Sequence, residues 1–188
     1  MVDANAPVSI DIDGLSVTLD LDPQIASLRY FSPAGQFAAG AGAWLGWPLG
    51  EPLRAGHGDS IHGGDFVLAW RSPTESLLLT RNRNAFAELA QRVAADVDGC
   101  MVEQTGGTRL FRVTGSRARD LLLRLGAATS IPDVGEARPG RFAELTVLAA
   151  SIRAGEYLLL VERVYANHLF EWMSATAADL GTDDPQPA

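Results

Sequence analysis

The chain has 188 residues, 47% of them hydrophobic, and a formal net charge of −8 at pH 7. That length predicts one domain of ordinary size with a real core. The acidic balance excludes phosphate-driven nucleic-acid binding, which needs a basic face, and docking on anionic lipid. All 15 basic residues are arginine, which reads as compositional bias together with abundant Ala and Gly. Cys100 is the only cysteine, so no intrachain disulfide or thiolate cage can be built. The start, MVDANAPVSIDID, lacks the charged region and apolar run of a signal peptide. No apolar run is long enough to span a bilayer, and a soluble cytoplasmic protein is expected.

Residues 8–21 alternate apolar and polar around Asp13-Gly14, a strong hairpin signal that Pro23 ends. Residues 22–64 are rich in Gly, Ala and Pro, carry Phe37, Trp44 and Trp47, and show no helical or strand period. The two tryptophans either anchor a partner or cap the domain's own core. Residues 1–64 therefore read as an N-terminal hairpin and a Gly/Pro/Trp-rich extension. Asp65 to Arg71 and Glu75 to Thr80 read as strands joined by Ser72-Pro73-Thr74. Asn84 is the expected cap of a helix with the stripe Phe86, Leu89, Ala90, Val93, Ala94 and Val97.

The stretch from Gly99 to Gly126 is the most informative. Met101 to Thr105 and Thr108 to Val113 read as strands joined by a Gly106-Gly107 hairpin turn. Thr114 or Ser116 can then cap a helix with Ala118, Leu121, Leu122 and Leu125 on one stripe, and Gly126 ends it as a left-handed cap. Residues 127–140 read as loop. Phe142 to Arg153 and Glu156 to Glu162 read as strands, and a wide-faced aromatic helix runs from about Val164 to Leu180. Residues 181–188 read as a frayed tail. From Asp65 the order β-β-α-β-β-α-β-β-α predicts an α+β domain over 65–180, its antiparallel or mixed sheet carrying helices on one side. No internal repeat stands out.

Few side chains suggest chemistry. His57, Asp59, His62 and Asp65 form the one dense polar cluster, but their spacing matches no mechanistic metal motif and they read as a solvated loop. Gly40 to Gly46 has one residue too many for a dinucleotide loop and no preceding strand. Cys100 lacks a neighbouring cation to lower its pKa and reads as a small core residue. His168 reads as a packing or surface histidine on the last helix. Arg109, Arg112, Arg117 and Arg119 read as a solvated basic face, or as a grip for carboxylates of a partner or folate-like ligand. No catalytic, cofactor-binding or metal-binding residue is assigned.

Thr105 to Arg109, Leu110 to Leu122, Ile131-Pro132-Asp133 and the Pro139-Gly140 turn resemble the gamma subunit of heterotetrameric sarcosine oxidase. So do Leu68 to Leu79 upstream, and Tyr157 to Val161 and Tyr165 to Trp172 downstream. The resemblance covers about residues 65–175. It implies the fold of the folate-binding domain of the glycine cleavage T-protein. It also implies a small, chiefly structural subunit of a complex that oxidises sarcosine to glycine. FAD, FMN, NAD and tetrahydrofolate are implied for the complex rather than for this chain, and the implied partners are larger alpha and beta subunits and a small delta subunit. The alternative is a stand-alone T-protein-like folate-binding protein or one-carbon transferase, in which Glu103 or Asp120 would orient the pterin. A related group carries a Lys-Gly-Cys-Tyr-type signature that this lysine-free chain does not match. A third reading, a metal-dependent hydrolase, would use His57 and His62.

Overall fold

Eleven strands form two antiparallel sheets in the computed structural model, which describes residues 9–59 and 65–182. In chain order the strands are β1 (Ser9–Ile12), β2 (Leu15–Asp20), β3 (Gln24–Tyr30), β4 (Ala55–Asp59), β5 (Asp65–Ser72) and β6 (Glu75–Thr80), then β7 (Gly99–Glu103), β8 (Thr108–Thr114), β9 (Glu136–Phe142), β10 (Leu145–Arg153) and β11 (Glu156–Glu162). The helices are α1 (Gln36–Leu45), α2 (Arg83–Arg92), α3 (Ala118–Leu125) and α4 (Ala166–Thr182). One sheet has the order β1-β2-β8-β11-β10-β9 and the other β4-β5-β6-β3-β7. Among the described residues no helix is long and apolar enough to cross a membrane.

Strand alternation sets the layers. On β10, Val147 and Ala149 pack with α3 and α4. Their neighbours Leu148 and Ala150 point the other way and meet Val67, Ala69, Leu77 and Leu79 of the second sheet. The outer face of that sheet (Ala26, Leu28, Phe66, Leu68, Leu78) packs against Phe37 and Trp44 of α1 and Phe86 and Leu89 of α2. The result is α/β/β/α. The α+β class holds, but helices cover both outer faces, because there are two sheets rather than one.

The two halves repeat one topology. The unit β3-α1-β4-β5-β6-α2 builds the order β4-β5-β6-β3, and β8-α3-β9-β10-β11-α4 builds β9-β10-β11-β8. The hairpins correspond residue by residue. Val67 pairs with Leu79 as Leu148 pairs with Leu160, and each hairpin is irregular at the equivalent place, Trp70/Ser72 and Ser151/Arg153. Ala69, Glu75 and Leu77-Leu78-Leu79 thus match Ala150, Glu156 and Leu158-Leu159-Leu160. The halves meet through reciprocal backbone bonds, Ala55 N–H to Gly135 O at 2.7 Å and Ala137 N–H to Leu53 O at 2.6 Å. The fifth position is filled by β7 in one sheet and by β2, from the chain's start, in the other.

Several local expectations change. Residues 22–64 contain β3, α1 and β4, so they supply strands to the same sheet as β5 and β6. Helix α1 lacks a local cap signal because its cap is distant: the Phe37 N–H donates to Asp98 Oδ1 at 2.9 Å. Both tryptophans serve the chain's own packing. Trp44 sits edge-on to Phe66, with ring centroids 5.6 Å apart. Trp47 lies 4.0 Å beneath the Arg54 guanidinium. Gly106-Gly107 is no hairpin turn, since β7 pairs with β3 whereas β8 pairs with β2 and β11, so the link crosses between sheets. Neither glycine has a positive φ.

Capping residues shift as well. Asn82, not Asn84, caps α2 by accepting from the Ala85 N–H at 3.0 Å. That helix ends at Arg92, which leaves Val97 exposed instead of continuing the stripe. No side chain caps α3. Gly115 turns the chain there at φ +115°, where a Cβ would meet Gly14 O at 2.2 Å. Gly126 is extended (φ −155°) rather than left-handed, and a Cβ on it would strike Arg141 O and the Phe142 ring. The 127–140 loop holds a short 3-10 turn and the start of β9. Phe142 ends β9, and Ala143-Glu144, both left-handed, turn the chain into β10.

An ion network ties β2, β8 and β11 together. The Asp20 carboxylate accepts from Arg112 Nε at 2.9 Å and Arg81 Nη2 at 2.6 Å, and Arg112 Nη1 reaches Glu156 Oε1 at 2.7 Å. Burial pushes the Asp20 pKa up, but hydrogen bonds from Arg112 and Arg81 outweigh it, and the net value lies below the ordinary one. Its contribution to stability is therefore present above the unfolded-state pKa and lost as pH falls through the lower folded value. Asp20→Asn should cost about 2 kcal/mol at pH 7. In urea titrations the gap from wild type should shrink below roughly pH 4. Leu158, fully buried between the sheets, should cost about 3 kcal/mol as Leu158→Ala in the same titration.

Candidate functional site

Three surface features stand out among the described residues. The first is a groove of about 360 Å³ at one end of the inter-sheet layer, lined by Arg71, Leu77, Thr108, Glu144, Leu148, Leu160, Glu162 and Tyr165 among others. Its cation is already engaged, with Arg71 Nη1 3.3 Å from Glu75 Oε1. The second is a hollow of about 450 Å³ beside β7, lined by Arg29, Tyr30, Phe31, Glu75, Val97 and Cys100. Phe31 is 83% exposed and Val97 89%, so both lie outside the core that their apolar character would favour. The third runs from the start of α4 along its outer side, where Val164 (77%), Tyr165 (47%) and, further along the helix, Trp172 (50%) stand out from the surface. The buried face of α4 is Ala166, Leu169, Met173, Ala177 and Leu180, which places Trp172 and His168 outward, their rings 6.4 Å apart.

The residues singled out by sequence do not converge. His57 lies on β4 opposite Val67. His62 and the side chains of Asp59 and Asp65 lie outside the described residues. Among the described residues, no three His, Cys, Asp or Glu side chains are grouped to hold a metal. Cys100 is exposed on β7 rather than buried. Register explains this: Cys100 pairs with the exposed Arg29, on the face opposite to Leu28 and Met101, which pack on the helix side. Glu103 is exposed on β7 and Asp120 on α3, over different sheets, and neither lines the groove.

The four arginines also separate. Arg112 belongs to the Asp20–Glu156 network. Arg117 Nη2 donates to Leu180 O at 2.6 Å, a cation at the carbonyl end of α4. Arg119 points to solvent. Arg109 Nη1 reaches Thr105 O at 3.4 Å and Thr108 O at 3.1 Å. Burial first, and then the neighbouring Arg163, push the Arg109 pKa down. Sequence reading missed Arg163 and Val164, because nothing local shows that β11 ends beside the Thr105–Thr108 turn.

Three of the four helix starts are already filled or closed to a dinucleotide pyrophosphate. That of α1 already holds the Asp98 carboxylate, and the glycines of 40–46 lie inside or at the end of the helix. That of α2 holds the Asn82 side chain. At α3 the chain is packed against Gly14, with Gly115 at the turn.

The sarcosine oxidase gamma subunit family model matches residues 36–179. Comparison with curated proteins found no match. Among solved structures, the heterotetrameric sarcosine oxidase from Corynebacterium sp. U-96, in complex with pyrrole 2-carboxylate, contains a similar chain. It has TM-score 0.79 and 16% identity, over 96% of this chain and 92% of that one. The glycine cleavage system aminomethyltransferase T from Bartonella henselae is similar at TM-score 0.66 and 11% identity, over 85% of this chain and 45% of that longer one. With most of its length matched, the chain belongs to the sarcosine oxidase gamma subunit family.

Proposed function

We propose that this gamma subunit is a non-catalytic component of a heterotetrameric sarcosine oxidase that converts sarcosine to glycine in the cytoplasm. Its partners are a larger alpha and beta subunit and a small delta subunit. FAD, FMN, NAD and tetrahydrofolate are handled by those partners. The family match over residues 36–179 carries this reading. The surface supports it. Phe31, Val97, Val164, Tyr165 and Trp172 are large apolar side chains left exposed by a chain that otherwise fills its core. A helix start occupied from within, as at α1, also suits a chain that leaves dinucleotide binding to others.

The contact surfaces proposed are the hollow beside β7 and the outward face of α4. A tagged chain expressed with the larger oxidase subunits should bring them down and give a yellow eluate with flavin absorbance in the visible blue. A colourless eluate holding this chain alone would overturn the reading. Trp172→Ala should leave the fold intact, because the side chain is half exposed, and should weaken retention of the large subunits roughly tenfold or more. The isolated chain, titrated with tetrahydrofolate by calorimetry, should show no saturable heat; saturable binding would favour the T-protein-like alternative.

A further inference from the structure

The turn Thr105–Thr108 and the end of β11 bring two arginines together. Arg163 N–H donates to Gly107 O at 2.8 Å, and Arg109 leans over the same turn through its bonds to Thr105 O and Thr108 O. The other strand arginines (Arg29, Arg71, Arg112, Arg138, Arg141 and Arg153) each have a carboxylate partner. Arg109 has none among the described residues, and the charge acting on it is Arg163. Like charges held together raise the free energy of the isolated chain, and a carboxylate placed between two guanidiniums removes that cost. The chain carries a net charge of −8, so a cationic pair with no carboxylate partner among the described residues runs against its composition. Val164 and Tyr165 follow Arg163 directly and are exposed, and Tyr and Arg are among the residue types that dominate binding energy at interfaces.

We infer that Arg109 and Arg163, flanked by Val164 and Tyr165, receive an acidic side chain of a partner subunit in the oxidase complex. The inference rests on the gamma-subunit reading and names the chemistry of the partner surface. A carboxylate of a protein fits better than a phosphate polymer, which the acidic surface repels beyond the immediate site.

The test uses the complex. The tagged chain is produced with the larger oxidase subunits as wild type, as R109E/R163E, as R109K/R163K and as R119E, and retained subunits are weighed by band intensity and flavin absorbance across a salt series. R109E/R163E should retain roughly a tenth or less of the wild-type amount, with an unchanged circular dichroism spectrum. R109K/R163K should keep most of it at low salt and lose it sooner as salt rises, because lysine cannot offer the bidentate fork. R119E should behave as wild type. If R109E/R163E fails to fold, R109Q/R163Q is judged by the same criterion. Retention of R109E/R163E or R109Q/R163Q at the wild-type level would overturn the inference while leaving the gamma-subunit reading intact. A wild-type chain that retains nothing would overturn the reading itself. Loss of retention in R119E equal to that of R109E/R163E would show a general charge effect and also overturn the site.

Discussion

The apolar layer shared by the two sheets is the constraint on which the rest of this structure depends. Leu77, Leu79, Leu148, Leu158 and Leu160 meet there, with Val67, Ala69 and Ala150 filling between them. A sheet that buries its inner face against another sheet still has an outer face, and here that face is apolar too. Helices must cover it, which is why four helices divide between two outer surfaces. The same constraint explains the leucine triplets 77–79 and 158–160. A strand with one wet face alternates, whereas a strand buried on both faces reads as a continuous apolar run. Leu78 and Leu159 serve the helix side, and their neighbours serve the layer between the sheets.

The repeated topology then shows where the halves diverge. Glu75 and Glu156 open equivalent strands, each after an irregular hairpin, and each engages an arginine from its own hairpin, Arg71 or Arg153. Across the neighbouring strand the partners differ. Glu75 meets Ser27 and Arg29, whereas Glu156 meets Arg112, which continues to Asp20 on β2. The second network is larger because β2 has been added to that sheet from the start of the chain, with β1 beyond it. The other sheet stops at β7. Its free edge is where Cys100, Phe31 and Val97 come to the surface, so the exposed hollow follows from unequal completion of two similar sheets.

What the sequence revealed was what neighbouring residues decide. The Asp13-Gly14 hairpin, β5 with β6, β11, and the stripe of α3 all rest on local period and turn chemistry, and they stand in the structure. What it hid was decided at a distance. Helix α1 contains Gly40 and Gly42, poor helix formers, and its N-terminus is completed by Asp98. Gly99, at the start of β7, has no room for a Cβ, since one would lie 2.4 Å from Phe37 Cγ, so α1 and β7 are fitted to each other across the fold. The Gly106-Gly107 link looks like a hairpin turn from either side, and only the pairing of β7 with β3 shows that it crosses sheets. The repeat was masked by composition. Its shared signal is confined to the β5–β6 and β10–β11 hairpins, while the helices it would align differ in length and residue type. Of the surface features, the aromatic face of α4 was legible, but Arg163 beside Arg109 required knowing that β11 ends against the 105–108 turn.

These distant solutions bear on function through what they occupy. A helix start is an anion site by its unpaired N–H groups, and in α1 that capacity is met by the chain's own Asp98. The same residue fixes the approach of β7 through its backbone, because the Asp98 carbonyl accepts from the Phe31 N–H at 3.0 Å. The electrostatics that would cradle a phosphate in a nucleotide-binding protein here hold an edge strand and the exposed Phe31 in place. At the other end, the 105–108 turn holds the Arg163 backbone and gives Arg109 carbonyl partners but, among the described residues, no carboxylate, which positions two cations without neutralising them. In both places polar groups of the fold serve to present side chains outward. That arrangement is what a subunit needs when its surface, rather than a pocket, carries its role.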